Sequence, residues 1–489
     1  MRPLKIAIIV VVSIGVIYLA MVGLGQLLGL SNEGGPNEYD EAEKNKISIG
    51  TAEQFLAMEK DKGYILTNDI ELSADHPAVT APLVLDGANH VVSGISRPLF
   101  SGGASQARIH DIKFNADITG LHIGILSDNN KFGIGYKLNN VELSGKLTTQ
   151  GTEVCGSIAP IFNGALENVT IDTNISGAAP AGGFGGEVKS FKIKDSKFIG
   201  TIQSDRGAYG FAKLGWAHFE NSTISGTIES KGAASGFTHT CNLYRQEWNL
   251  NGLSIKDCAI TGNSLVGGLF SHIGEKLGED EYLPDSSSIG GVSMQNVTVS
   301  GNRYVGGLFG ACDSSLATRG AFESQSGVTV KGLAGSTYSE MDIGGIVGHY
   351  TKGNANGWTN RATVINEGTG SRVGGITGYS SANFSNCNNY GTVTSAGDSV
   401  GGIVGYYYAD SSGTAISNCV NHANVSGVNK VGGIVGGSGK YWTVVDMTIK
   451  DCTNLAIISG TTKVQQIYGQ NESYIKLVNC SLEGSVVTP

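Results

Sequence analysis

A short phrase, Val400-Gly401-Gly402-Ile403-Val404-Gly405-Tyr406, returns again and again along the chain, and its return limits the possible folds more than any other feature. Near-copies stand at Val266–Phe270, Val305–Gly310, Ile343–Gly348, Val373–Gly378 and Val431–Gly436. Weaker relatives lie upstream around Gly124, Gly156, Gly183, Gly210 and Gly236. One lies downstream at Val464–Gly469, where the glycine pair is lost. Neighbouring members are roughly 26 to 39 residues apart, a period typical of solenoids. Decay at both ends is the pattern of capping repeats.

A second pattern alternates with the first. An apolar residue, a spacer, Asn or Asp and then a small residue recur at Leu166–Val169, Ile255–Cys258, Ile416–Cys419, Ile449–Cys452 and Leu477–Cys480. Each unit therefore holds two or three short apolar runs separated by residues that accept the backbone of sharp corners. No stretch after about residue 60 keeps a helical period, so the runs read as strands. The 73 glycines and 9 prolines among 489 residues suit tight parallel coils and not a disordered chain. A net charge of −9 gives no electrostatic footprint for nucleic acid.

The glycine phrase followed by Asn-Cys and Gly-x-Val resembles the GLUG-motif repeats of bacterial cell-surface proteins. Leu83–Ile95 is similar to the opening coils of right-handed parallel β-helices of the pectate-lyase-like kind. Together these cover roughly residues 47–487, within a β-helix domain expected over 47–489. The resemblance implies an all-β fold, a right-handed parallel β-helix, in an extracellular bacterial setting. It supplies no catalytic residues, because such scaffolds host adhesins, lyases and hydrolases alike.

The N-terminus reads separately. Arg2 and Lys5 precede an uncharged run from Ile6 to Leu30, longer than the roughly 20 residues that span a bilayer. Residues 1–30 are therefore expected to be a single-pass signal anchor that sends the remainder outside. A cleaved signal, and so a secreted protein, is the alternative. Residues 31–46 are polar and acidic and read as a solvated spacer. Thr51-Ala52-Glu53-Gln54 fits a capping box, so a short helix is expected to cover the first coil.

Several residue groups bear on chemistry. Cys258, Cys387, Cys419, Cys452 and Cys480 follow the Asn/Asp corner and are expected to stack as buried thiols. No Cys-x-x-Cys occurs, and the acidic run at 275–285 fits no calcium loop, so neither a metal nor any cofactor is expected. The Asn/Asp positions themselves (Asp195, Asn221, Asp257, Asn296, Asn386, Asn418, Asp451 and Asn479) read as a structural amide ladder. The weak catalytic candidates are His239, Arg245 and Glu247, grouped with Cys241 in the insertion 238–251. Aromatic residues that follow the glycine phrase form the candidate ligand-binding set: His349, Tyr350, Trp358, Tyr379, Tyr406, Tyr407, Tyr441 and Trp442. Corner packing is the competing explanation for this set.

The resulting expectation is a membrane-anchored extracellular solenoid that binds a host or matrix glycan or a surface protein, in the manner of an adhesin. The alternative is a carbohydrate-active enzyme, a lyase or glycoside hydrolase, on the same scaffold.

Overall fold

The computed structural model describes residues 36–103, 106–128, 135–240, 249–274, 291–313, 320–336, 338, 340–409, 415–440, 447–470, 472 and 474–488. They wind into an all-β, right-handed-type parallel solenoid of about 11 turns. One coil shows the plan. Ser371–Gly374 leads to Thr377–Ser380, then Asn383–Ser385, Asn388–Asn389 and Val393–Ser395, and Asp398–Gly401 starts the next coil. Equivalent strands stack into sheets. An eleven-stranded sheet carries the start of each glycine phrase, and a seven-stranded sheet carries its end. A 21-stranded sheet forms the long wall.

The register shows why the phrase repeats. Val266, Val305, Ile343, Val373, Val400 and Val431 are paired in one inward column, and all are fully buried. Phe211 and Phe237 lie 4.9 Å apart and nearly parallel; Phe237 meets Phe270 edge-on at 5.8 Å in the neighbouring column, where Phe270 lies 5.9 Å from Phe309. Each coil closes the apolar layer of its neighbours, so a single contiguous core runs along the rod.

The corners are built from Asn and Asp. All eight corner residues named from the sequence are left-handed, from Asn221 at φ 47° to Asn386 at 55°. Their side chains bond along the axis at the surface: Asn221 Nδ2 donates to Asp195 Oδ1 at 2.6 Å, and Asn296 Nδ2 to Asp257 Oδ1 at 2.8 Å. Short polar side chains tolerate this conformation and hydrogen-bond locally, which lowers its cost.

A second amide column lies inside the rod. Asn360, Asn389, Asn421 and Asn454 have no exposed surface. Each Nδ2 donates to the next Oδ1 at 2.8 Å. Every amide also bonds the backbone two residues on, as Asn421 does with the carbonyl of Ala423 at 2.8 Å. The glycine pair makes room for this column. A Cβ on Gly402 would lie 2.1 Å from the Gly433 carbonyl oxygen and 2.5 Å from Asn421 Cγ.

The thiols of Cys387, Cys419 and Cys452 are buried and pack in this same region, with Cys480 half-buried at the last coil. Their sulfurs donate to main-chain carbonyls, Cys419 Sγ to Ser417 O at 3.2 Å for example. Cys258 departs from the expected stack. It pairs with Val297 in the long wall, a different column from the other four. Burial pushes the Cys155 and Cys258 thiols up to about 12, which keeps them protonated and unreactive.

The N-terminal end is covered by two helices. Helix α1, Pro36–Lys44, replaces most of the expected spacer. Tyr39 and Ala42 pack on Leu83 and Val84, and the Tyr39 hydroxyl donates to Gln106 O at 2.7 Å. The apolar stripe was hidden among acidic residues. Helix α2, Ala52–Leu56, is the expected cap, with Gln54 N donating to Thr51 Oγ1 at 3.3 Å and Phe55 fully buried. No helix among the described residues is long and apolar enough to cross a membrane; the run Ile6–Leu30 lies outside them.

Candidate functional site

The stack of parallel coils turns the end of each glycine phrase into a surface column. His272, Ala311, His349, Tyr379, Tyr406 and Gly437 are in register on the seven-stranded sheet. Successive residues of a strand point to opposite faces, so the residues after them, Cys312, Tyr350, Ser380 and Tyr407, point inward. A parallel outward-facing column on the adjoining sheet holds Tyr304, Asp342 and Arg372, with Asp342 covered by its neighbours. The two columns meet at the corner because the backbone closes tightly there. A Cβ on Gly374 would stand 2.7 Å from Gly405 N.

The aromatic residues of the two columns pack on one another. Tyr304 and His349 are 4.5 Å apart, His349 and Tyr379 4.7 Å apart at 6°, and Tyr379 and Tyr406 6.3 Å apart at 11°. Glycine takes the next position of the column, and Tyr406 leans into the space it leaves; a Cβ on Gly439 would be 2.5 Å from the Tyr406 hydroxyl. The Arg372 guanidinium lies over Tyr379, 4.4 Å from the ring centroid, and 5.6 Å from that of Tyr406.

Asp342 ties the two columns together. It is fully buried and accepts from Arg372 Nε at 2.5 Å, Arg372 Nη2 at 3.2 Å and His349 Nδ1 at 2.6 Å. Glu340 accepts from Arg372 Nη2 at 2.8 Å. Burial alone would lower the Arg372 pKa, but the Asp342 and Glu340 carboxylates outweigh it and raise it. Burial is also the main cause that pushes the Tyr379 phenol up to about 12. Tyr379 is therefore a protonated donor at neutral pH and not a base.

A groove of about 500 Å³ runs beside these residues, lined by Glu340, Arg372, Tyr379, Asp398, Tyr406 and Lys430 among others. Its other linings are mainly hydroxyls, Thr369, Ser371, Ser399 and Tyr408. A larger concavity of about 720 Å³ lies beneath α1. It follows the seam where that helix docks and has no aromatic lining.

The aromatic set read from the sequence divides accordingly. His349, Tyr379 and Tyr406 are brought together at the groove. Tyr350, Trp358 and Tyr407 are buried, with at most 1 % exposure, and are withdrawn from ligand contact. Tyr350 and Tyr407 follow outward residues and so must face the core. Trp358 packs 5.3 Å from both Phe322 and Tyr350. Tyr441 and Trp442 lie outside the described residues. Of the weak catalytic candidates, His239 packs against Tyr209 at 5.5 Å, and burial followed by the charges of His272 and Lys213 lowers it to about 4. Arg245 and Glu247, with Cys241, lie outside the described residues.

Two features of the site were not read from the sequence. Arg372 and Asp342 carry its electrostatics, and the only signal for them was their shared place just before the glycine phrase, Asp342-Ile343 and Arg372-Val373. Three of the four buried amides were spelled by Asn two residues after a cysteine, in Cys387-Asn388-Asn389, Cys419-Val420-Asn421 and Cys452-Thr453-Asn454, and the fourth, Asn360, stands two after Trp358.

Several strands of this sheet are followed directly by stretches outside the described residues. Thr238–Thr240 precedes 241–248, Phe270–Ile273 comes shortly before 275–290, and Val435–Lys440 precedes 441–446. Comparison with protein-family models, with curated proteins and with solved structures gave no match.

Proposed function

We propose that the protein is a membrane-tethered extracellular recognition protein, an adhesin or ligand-binding solenoid, and that it holds a glycan at the His349–Tyr379–Tyr406 groove. The observation that carries this reading is a rigid outward column of rings beside a groove rich in hydroxyls. Amphipathic rings and fixed hydroxyl donors recognise polyhydroxyl ligands at low entropic cost, because the Arg372–Asp342 pair already locks them in place. The tether is read from Ile6–Leu30, and the extracellular setting from the GLUG-like repeats.

The alternative is a carbohydrate-active enzyme. One geometric point favours it: a carboxylate on His349 Nδ1 orients the ring as it would in a general base. Against it, Asp342 is engaged by Arg372 as well, and the neighbouring tyrosine is held protonated. A glycan array with the wild-type chain and Tyr379→Ala, followed by product analysis, decides between them. Binding that is lost in the variant and leaves the polymer intact supports recognition. Depolymerised product makes the protein an enzyme, and equal signals from both proteins remove the groove from either role.

A further inference from the structure

The electrostatics of the groove select among glycans. Two carboxylates, Glu340 and Asp398, and two cations, Arg372 and Lys430, line it, and the fully buried Asp342 beneath neutralises Arg372. Moreover, the guanidinium is already matched. Asp342 takes both Nε and Nη2, and Glu340 takes Nη2 again. A sugar carboxylate or sulfate could reach that charge only by displacing Asp342, which would leave a fully buried carboxylate without its cation. The exposed Glu340 and Asp398 would also repel it.

The groups left over are those that suit a neutral ring. Arg372 Nη1 donates to no described residue, and Tyr379 keeps its proton. Tyr406 and Thr369 offer hydroxyls that both donate and accept. Glu340 supplies an exposed acceptor. Sugar hydroxyls pair with such a set, whereas an anionic sugar would find Lys430 as its one cation without an ion pair among the described residues, set against the carboxylates of Glu340 and Asp398.

We propose that the groove binds uncharged glycans, neutral hexose or N-acetylhexosamine chains, and rejects uronate, sulfated and sialylated ones. This rests on the recognition reading above and names its ligand class. Specificity here comes from the repulsive carboxylates as much as from the hydroxyls. It also separates this protein from the lyases of acidic polysaccharides that its fold brings to mind.

The test is equilibrium binding by the full chain in nanodiscs at about 0.15 M salt, where screening is physiological. The neutral probes are cellohexaose, mannohexaose and chitohexaose; the anionic probes are hexamers of galacturonate and mannuronate. Wild type is expected to hold at least one neutral probe about tenfold or more tighter than every anionic one. Glu340→Gln removes one surface carboxylate, with its side chain 65 % exposed, and so leaves the fold intact. It is expected to narrow the ratio by about threefold or more. Tighter anionic binding by wild type that Tyr379→Ala abolishes overturns the charge inference and leaves the recognition reading standing. An unchanged ratio in Glu340→Gln also overturns the charge inference. Failure of wild type to hold either class, or equal binding by Tyr379→Ala, overturns both.

Discussion

Asn421→Ala removes the centre of the buried amide column. Asn421 donates to Ala423 O and Asn454 Oδ1 at 2.8 Å, and accepts from Asn389 Nδ2 at 2.8 Å and from Ala423 N at 3.4 Å. The variant strands the Asn389 amide N–H on one coil and the two Ala423 main-chain groups, and leaves the Asn454 oxygen on the next coil with only the long bond from Ala456 N at 3.5 Å. A buried polar group left unpaired costs about 1–3 kcal/mol, and partial relaxation brings the set to about 3–5 kcal/mol. Asn418, on the same coil, is the control. Its φ of 52° makes alanine there cost about 1–2 kcal/mol through the left-handed backbone alone. Urea unfolding gives the two costs, and amide exchange locates them. Protection should fall at Gly391, Ala423 and Ala456 in Asn421→Ala and stay near wild type there in Asn418→Ala. A cost for Asn421→Ala no larger than that for Asn418→Ala, with protection unchanged in the adjacent coils, would refute the reasoning.

Other expectations follow from the same geometry. Gly402→Ala should prevent folding or cost on the order of 3 kcal/mol or more, because its Cβ meets a carbonyl oxygen at 2.1 Å; Asn421→Ala should not rescue it, since that oxygen is backbone. Gly102→Ala, with nothing within 4 Å, should stay within about 0.5 kcal/mol of wild type in the same urea series. Tyr407→Ala should cost about 3–5 kcal/mol as a core deletion, whereas Tyr379→Ala should act mainly on glycan affinity. His239 has a folded pKa lowered to about 4, so the unfolded chain binds the extra proton; stability is full above the ordinary histidine value and falls by about 2–3 kcal/mol as pH drops from 6.5 towards 4. His239→Gln should flatten that slope in urea midpoints taken across the range. Iodoacetamide on the native protein should label Cys480 before Cys155, Cys258, Cys387, Cys419 or Cys452, read by peptide mass, since only Cys480 of these is not buried.

The period, the strand character and the left-handed corners were legible because each depends on local residue chemistry repeated many times. Glycine, asparagine and aspartate carry that chemistry wherever they stand. The facing of single side chains was not legible. His349 and Tyr350, or Tyr406 and Tyr407, are chain neighbours, so a strand must send one outward and one inward, and only the register decides which. Trp358 was misread because its column is set by Cys387 one coil away, through the pairing of Thr359 with Asn388. The groove depends on Asp342, Arg372 and Tyr379 meeting across two sheets and two coils, a relation that no local spacing encodes. Helix α1 escaped notice because Tyr39 and Ala42 are too few apolar residues to mark a face among five charged neighbours.

The most direct test of the account is a hydrogen-exchange footprint of the full chain with a saturating bound glycan. Added protection is expected across Ser371–Gly374, Thr377–Ser380, Asp398–Gly401 and Val404–Ala409, the strands that carry the groove. Protection confined to the long wall or to the seam beneath α1, with those four strands unchanged, would contradict it.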